Sequence, residues 1–374
     1  MPQGQKLRGK QRSVKMKRLA FVGILPVTAI ILAAFVPLFN AEACTRMFWN
    51  TNGQVMLVGR NMDLDLDDQP VFYVFPMGIS KNGGTDVNPA TWTSQYGSVV
   101  VTAWGKSTFS FEGINTAGLG FHGLYLGPTQ FENRDSRPGV LQGRYGEYLL
   151  DNAATVSDAL QLMSQTQLVP ELLAGTPVPQ HYAIEDASGD SAVIEFVGGQ
   201  MNVYHGAEYT ILTNDPPFDQ QMPNLWHYQY FGGDDPLPGD CNPTARFVRA
   251  SAFLSTLNGA SSYAAIKTNP ISTMFLAIRS MSEPFGALQF MPGVSAPIPA
   301  WPTLWTIVSD LANKAVYFTH NVARNNFWID MRKLNFQEGA PIRSLKADRP
   351  DLAGEVSSFF TSPSPAMPSL LLSD

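Results

Sequence analysis

The stretch "NAEACTRMFWNTNGQVMLVGRNMD", Asn40–Asp63, decides how the rest of the chain is read. "TRMFWN" and "QVMLVGRNMD" are short runs of β type, and Thr51-Asn52-Gly53 between them is a hairpin signal. Ahead of them stand two small residues, Ala41 and Ala43, around Glu42, and then Cys44, one of only two cysteines in 374 residues. Upstream lie seven basic residues and no acid in residues 1–18, then an uncharged apolar run from Leu19 to Phe39. Basic, apolar, small-residue is the order of a secretory signal, with "AEA" as its cleavage pattern. Residues 1–43 are therefore expected to be a signal peptide, with Met16 an alternative start that gives a leader of ordinary length. The adjacent twin arginine of the other export route is absent, so the general secretory route is expected, with a periplasmic or secreted product. The competing reading is a retained membrane anchor, against which Pro26 and Pro37 argue, or a lipidated cysteine.

The leader holds seven of the 25 basic residues and one of the 31 acids. The remaining 331 residues carry 18 basic and 30 acidic side chains, a net charge of −12. That balance disfavours nucleic acid or an anionic membrane face as partner. An oxidising compartment permits a disulfide between Cys44 and Cys241. Metal motifs such as C-x-x-C and H-E-x-x-H are absent, so no metal and no cofactor are expected.

Past the hairpin, "VFYVFP", "GSVVVTAWG", "STFSFEGIN" and "LGFHGLYLG" continue as strands. "YGEYLLDNAATVSDALQLMSQ" switches to helical periodicity, with Leu149, Leu150, Ala153, Ala159, Leu160 and Met163 on its apolar face. "HYAIEDAS", "SAVIEFV" and "EYTILTN" read as strands, the first two joined by a tight turn over Asp186–Asp190. Helices are expected over 243–257 and 262–281, then paired strands in "PTLWTIVSDLANKAVYFTHN" and "NNFWIDM". The Pro/Ser-rich tail, 357–374, is expected to be loose. Strands, then helices, then strands argue for one layered α+β domain over 44–374.

If the leader is cut after Ala43, Cys44 carries a thiol and a free α-amine on one residue. An α-amine titrates at about 7.7–8.0 and can take a proton near neutral pH, so nucleophile and base come together without a histidine. Four further landmarks follow in order. Arg60 and Asp63 stand in "GRNMD", Tyr125 in "NTAGLGFHGLYL", Asn214 in "ILTNDPPFDQQ" and Arg246 in "LPGDCNPTARFVRA". With "CTRM" these resemble the choloylglycine hydrolase family, the bile salt hydrolases and penicillin V acylases of the N-terminal nucleophile superfamily.

The resemblance implies an αββα four-layer sandwich, two antiparallel sheets flanked by helices. It also implies that Cys44 attacks an amide carbonyl and expels the amine to form an acyl-enzyme, and that Asp63 orients the α-amine. Arg60 and Arg246 would favour the thiolate, and the Asn214 side-chain amide and Tyr125 N–H would form the oxyanion hole. Local sequence alone reads Asn214 as a turn residue, Asp63 as a solvated strand-end acid, and cannot choose Arg246 over Arg249. The histidines receive no chemical role, and the rival reading is a thiol hydrolase pairing Cys44 with His122. Substrates in the family include penicillin V, conjugated bile salts and N-acyl homoserine lactones, all small amides with apolar acyl groups. Tyr125 resembles the acylase side. Met62, Leu64, Phe72, Trp104 and Phe121 are candidates for lining an acyl pocket, although such residues are more often core. The 32-residue spacing from Asn214 to Arg246 lacks the longer segment that helps Gram-positive relatives form tetramers, which leaves a homo-oligomer of another kind open. A non-catalytic tethered binding protein of the same fold is the alternative from a different class.

One measurement separates the two: the exported protein should give a first Edman residue of Cys44 and an intact mass without adduct. A retained leader or a lipid adduct on the sulfur would establish the tether.

Overall fold

A computed structural model describes residues 44–51, 55–104, 109–173, 175–259, 269–289 and 295–363. Its frame is the expected hairpin. Strand β1, Cys44–Trp49, pairs antiparallel with β2, Leu57–Asp63, with Cys44 opposite Met62 and Arg46 opposite Arg60. The hairpin sits inside a seven-stranded sheet ordered 211–212, β1, β2, 303–310, 315–320, 325–330, 353–355. All its neighbours are antiparallel except the last pair. A second, eight-stranded antiparallel sheet runs 200–205, 191–197, 180–185, 120–125, 110–115, 98–102, 71–75, 343–346.

Strand alternation assigns the faces. Arg46, Phe48, Val58, Arg60 and Met62 share one face of the hairpin, and both arginines reach groups on the eight-stranded sheet: Arg46 meets Glu185 and Arg60 meets Gly123 O. That face lies between the sheets. The opposite face, with Thr45, Gly59 and Asn61, is covered by helices. Gly59 lets the helix Pro270–Arg279 approach, since a Cβ there would press on Met274 and Ile278. The helix Pro243–Gly259 covers the same side. On the far side of the eight-stranded sheet, α1, Gln142–Asn152, and α2, Val156–Gln165, form the fourth layer around Phe121, Tyr145, Leu149, Leu150 and Tyr182. The order is helix, sheet, sheet, helix.

Several local expectations change. The single helical stretch after Tyr145 is two helices. Asn115 Nδ2 donates to the Leu150 and Ala153 carbonyls and ends α1, while Thr155 and Asp158 form a capping box that starts α2. The turn over Asp186–Asp190 forms as expected, with Gly189 at φ +96°. The edge strand Gln200–His205 escaped the sequence reading, and "EYTILTN" contributes only Ile211–Leu212 as strand. The later helix begins at Pro270, N-capped by Asn269; residues 262–268 of its expected span lie outside the described residues. The tail is not loose at its start. Ser357 and Phe360 are buried, and Thr361 exchanges backbone hydrogen bonds with Ser344. The rest of it, 364–374, lies outside the described residues, as do the expected signal peptide, 1–43, and Asn52-Gly53 of the hairpin turn.

Gly146 tests the contact between the outer helix layer and its sheet. A methyl at this position of α1 would lie 2.3 Å from the edge of the Phe121 ring, itself stacked on Tyr182. Gly146→Ala should cost roughly 1–3 kcal/mol in urea unfolding, because a well-packed layer cannot move aside for free. An unchanged midpoint would mean that the layer packs more loosely than described.

Candidate active site

The site forms where β1 begins, because there the inter-sheet face and the helix face of the hairpin meet at one strand end. Arg246 is drawn into it from its helix. The guanidinium is fully buried and donates to Cys44 O at 2.5 Å, Thr45 Oγ1 at 2.8 Å, Asn214 Oδ1 at 3.0 Å and Cys241 O at 3.2 Å. Glu283 Oε1 lies 2.9 Å from its Nε. Arg249, one turn on, instead donates to Pro238 O and Asp240 O and secures the preceding loop.

Asn214 is held in one orientation. Its Oδ1 accepts from Cys44 N at 2.7 Å as well as from Arg246, so that atom must be the oxygen. Its Nδ2 donates to Tyr125 O at 2.8 Å, which leaves the second N–H of the same nitrogen for another acceptor. The next residue repeats the tie: Asp215 Oδ1 accepts from Gly127 N at 2.7 Å. The Tyr125 ring lies edge-on to Trp301, with centroids 6.0 Å apart.

Arg60 approaches the sulfur from the inter-sheet side. Its Nη2 is 3.8 Å from Cys44 Sγ and 3.7 Å from Met62 Sδ, and donates to Gly123 O at 2.9 Å. The guanidinium lies 5.0 Å from the Trp305 ring centroid, and Trp305 Nε1 donates to Asp68 at 2.7 Å. Asp63 closes the site from the end of β2. It is buried, and neither carboxylate oxygen has a hydrogen-bond partner of ordinary geometry.

Electrostatics follow from this packing. Burial pushes the Cys44 thiol up, against the pull of Arg60 and with a further push from Asp63; the Asp63 N–H and Arg246 draw it down. The arginines act in the expected direction, each drawing the thiol down, and burial outweighs them. Burial also raises Asp63 to about 7, despite Arg246, the Thr303 hydroxyl and Arg60, with Glu283 adding to the rise. Cys241 is pushed to about 12 by burial and by Glu283. Both cysteines are free thiols, so the permitted disulfide is not formed.

All six sequence candidates, Cys44, Arg60, Asp63, Tyr125, Asn214 and Arg246, converge here. Sequence reasoning missed Glu283, Thr45 and Thr303, whose partners come from distant segments and carry no local signature. The Cys44–His122 pairing fails on geometry. His122 Nδ1 faces Glu112 at 2.7–2.8 Å and Nε2 faces Glu185, so no ring nitrogen remains for the thiol. Of the pocket candidates, Met62 lies beside the site, whereas Phe72 packs on Phe318 and Phe327 in the core and Phe121 points to the outer helices. Leu64 is partly buried and Trp104 half-exposed against Phe109 and Phe111. No group of metal-ligating side chains occurs among the described residues.

Fold and site together define a hydrolase of linear amide C–N bonds on the four-layer N-terminal nucleophile hydrolase sandwich. The sequence profile of the linear amide C–N hydrolases, choloylglycine hydrolase family, matches residues 44–352, and the chain belongs to that family. It is 31% identical over 358 residues to a penicillin V acylase of Pectobacterium atrosepticum, spanning 90% of this chain and 92% of that one. The structure of penicillin V acylase from Agrobacterium tumefaciens superposes with a TM-score of 0.75 at 29% identity, over 87% of this chain and 99% of that one. A conjugated bile acid hydrolase from Clostridium perfringens shares the fold at a TM-score of 0.65 and 20% identity, over 81% of this chain and 97% of that one. The chain is thus a penicillin V acylase-like member of its family.

Asp63 supplies a test with a definite sign. Its folded value, near 7, stands above the unfolded carboxyl value of about 3.9, so the native state binds more protons between them and stability falls as pH climbs through that window. In a form that keeps Ala43 ahead of Cys44, Asp63→Asn should therefore stabilise by roughly 1–3 kcal/mol at pH 8, by urea unfolding, with the gain gone by about pH 4. Equal stabilities at pH 8 would show that the carboxylate has a partner after all.

Proposed function

We propose that the exported chain is cut after Ala43 and acts, in the periplasm or outside the cell, as an N-terminal cysteine acylase on small linear amides with an apolar acyl group. What carries this reading is the placement of the Cys44 nitrogen, 2.7 Å from Asn214 Oδ1 on a residue whose sulfur faces Arg60 and whose neighbour Asp63 is a buried carboxylate without a hydrogen bond of ordinary geometry. An ammonium at that nitrogen would add a cation beside Asp63, which burial holds near 7 despite Arg246, Thr303 and Arg60.

The thiol passes its proton to the neutral α-amine and the sulfur attacks the carbonyl carbon. The oxyanion is assigned to the second N–H of Asn214 Nδ2 and to the Tyr125 N–H, donors set in place before charge develops. The tetrahedral intermediate collapses with cleavage of the C–N bond, and the α-ammonium returns its proton to the leaving amine. Water, deprotonated by the same amine, then releases the acid. Arg246 takes no proton in this scheme; its contacts to Cys44 O, Thr45 and Asn214 keep nucleophile and oxyanion donor in one frame. A phenoxyacyl amide of the penicillin V type ranks first, because both acylase relatives are close to 30% identical, whereas the bile acid hydrolase supports the fold alone.

A screen of penicillin V, a conjugated bile salt and an N-acyl homoserine lactone checks the ranking, with penicillin V expected to give the highest kcat/KM. Cys44→Ser should lose roughly 10²-fold or more on every substrate, since a hydroxyl ionises far less readily than a thiol. Turnover that survives Cys44→Ser undiminished would place the nucleophile elsewhere.

A further inference from the structure

Behind Arg60 runs a buried chain of charged groups that the scheme above does not use. Arg46 and Arg60 stand directly opposite each other on β1 and β2, facing the second sheet. Two like charges in register repel. The second sheet answers with Glu112 and His122, themselves opposite each other, and with Glu185. Arg46 donates to Glu185 through Nε at 3.0 Å and through Nη2, and to Ser191 Oγ at 2.9 Å. Glu185 meets His122 Nε2, and His122 Nδ1 meets both oxygens of Glu112 at 2.7–2.8 Å. Glu112 Oε2 ends the chain 3.4 Å from Arg60 Nε. Every member is buried to within 1%. Gly120 makes the middle link possible, because a Cβ there would lie only 2.1 Å from Glu185 Oε1.

Two features of this chain are unequal. His122 Nδ1 takes Glu112 Oε2, the same oxygen that faces Arg60, and the contact of that oxygen to Arg60 Nε is long. Arg60 accordingly makes no hydrogen bond through Nε or Nη1, and only Nη2 is oriented, by Gly123 O, toward the sulfur. An Arg beside a carboxylate ordinarily closes into a two-pronged pair. We propose that His122 is a positioning residue: by donating both ring N–H groups it holds Glu112 back from Arg60, and so leaves the guanidinium turned toward Cys44. This rests on the cysteine acylase reading given above.

The protonation states fit. Burial opposes charge on His122, but Glu112 and Glu185 outweigh it and raise the imidazole to about 9. Burial likewise opposes charge on Glu185, which His122 and Arg46 nevertheless hold at about 2. The other ionisable groups acting on the thiol are Asp63 and Arg246, and those acting with Arg60 also include Asp68. None of these is bonded to His122, so its removal acts on the thiol through Glu112 and Arg60.

The test is the pH dependence of iodoacetamide alkylation at Cys44, followed by peptide mass so that Cys241 is read separately, in the exported wild type and in His122→Gln. The midpoint should rise by about one pH unit in the variant, and kcat should fall roughly tenfold with KM changed less than about twofold. A merely structural histidine would lower the melting temperature and leave the midpoint of the folded protein where it was; that result overturns the proposal. If His122→Gln does not fold, neutron diffraction from wild-type crystals near pH 8 decides, deuterons on both ring nitrogens of His122 supporting the proposal and a single one refuting it. Failure of the acylase reading looks different: alkylation of Cys44 in the wild type would then leave hydrolysis intact.

Discussion

The burial of the Arg246 guanidinium is the constraint from which the rest of the site follows. A guanidinium keeps its proton in any protein, so it cannot escape a dry environment by neutralising and must collect acceptors instead. Here they come from four separate segments: the first two residues of β1, the Asn214 loop, the turn before its own helix, and Glu283. Each would otherwise be a loosely tethered strand end or loop. Gathered around one cation they acquire fixed mutual distances, and the Cys44 nitrogen comes to lie on Asn214 as a by-product.

The inter-sheet charges perform a different task. Hydrophobic faces of two stacked sheets tolerate many arrangements, because apolar contacts are non-directional. Sliding β1 by one residue would replace Cys44, Arg46 and Phe48 on the inner face with Thr45, Met47 and Trp49, and much of the apolar burial would survive. What would not survive is the pairing of Arg46 with Glu185. An unpaired buried charge costs several kcal/mol. The charged layer therefore specifies register more sharply than the surrounding core does, and register is what puts the sulfur, rather than Thr45, between the sheets.

These two roles explain what could be read from sequence. Cys44, Arg60, Asp63, Asn214 and Arg246 were legible because each lies in a short ordered motif, and the hairpin that joins the first three is a local structure. Glu283, Glu112, Glu185 and His122 were not. Their partners are set by which distant strands become neighbours, and nothing within a few residues of Glu112 tells it from a solvated strand acid. The helix break at Ala153–Thr155 was hidden for a related reason: it is enforced partly from outside, by Asn115 and by Asp186 accepting from Val156 N. The tail was misjudged because its composition describes residues beyond 363 as much as the docked Ser357–Thr361, and a compositional reading averages over both.

The upward push on the Cys44 thiol also becomes intelligible in these terms. A buried site with Arg60 and Arg246 would hold a permanent thiolate if nothing opposed them, and a permanent thiolate invites oxidation before substrate arrives. Burial and the nearby Asp63 provide the opposition, and Asp63 in turn is held near 7 by its own burial. Asp63 is thus close to changing charge, and in the proposed scheme both groups would respond to one event, the appearance of an amine on Cys44. As a cation it favours the Asp63 carboxylate; as a neutral base it accepts the sulfur's proton. In the proposed mature form the scission therefore does more than expose a nucleophile: it introduces the single titrating group whose two states are complementary to the two acids already waiting there.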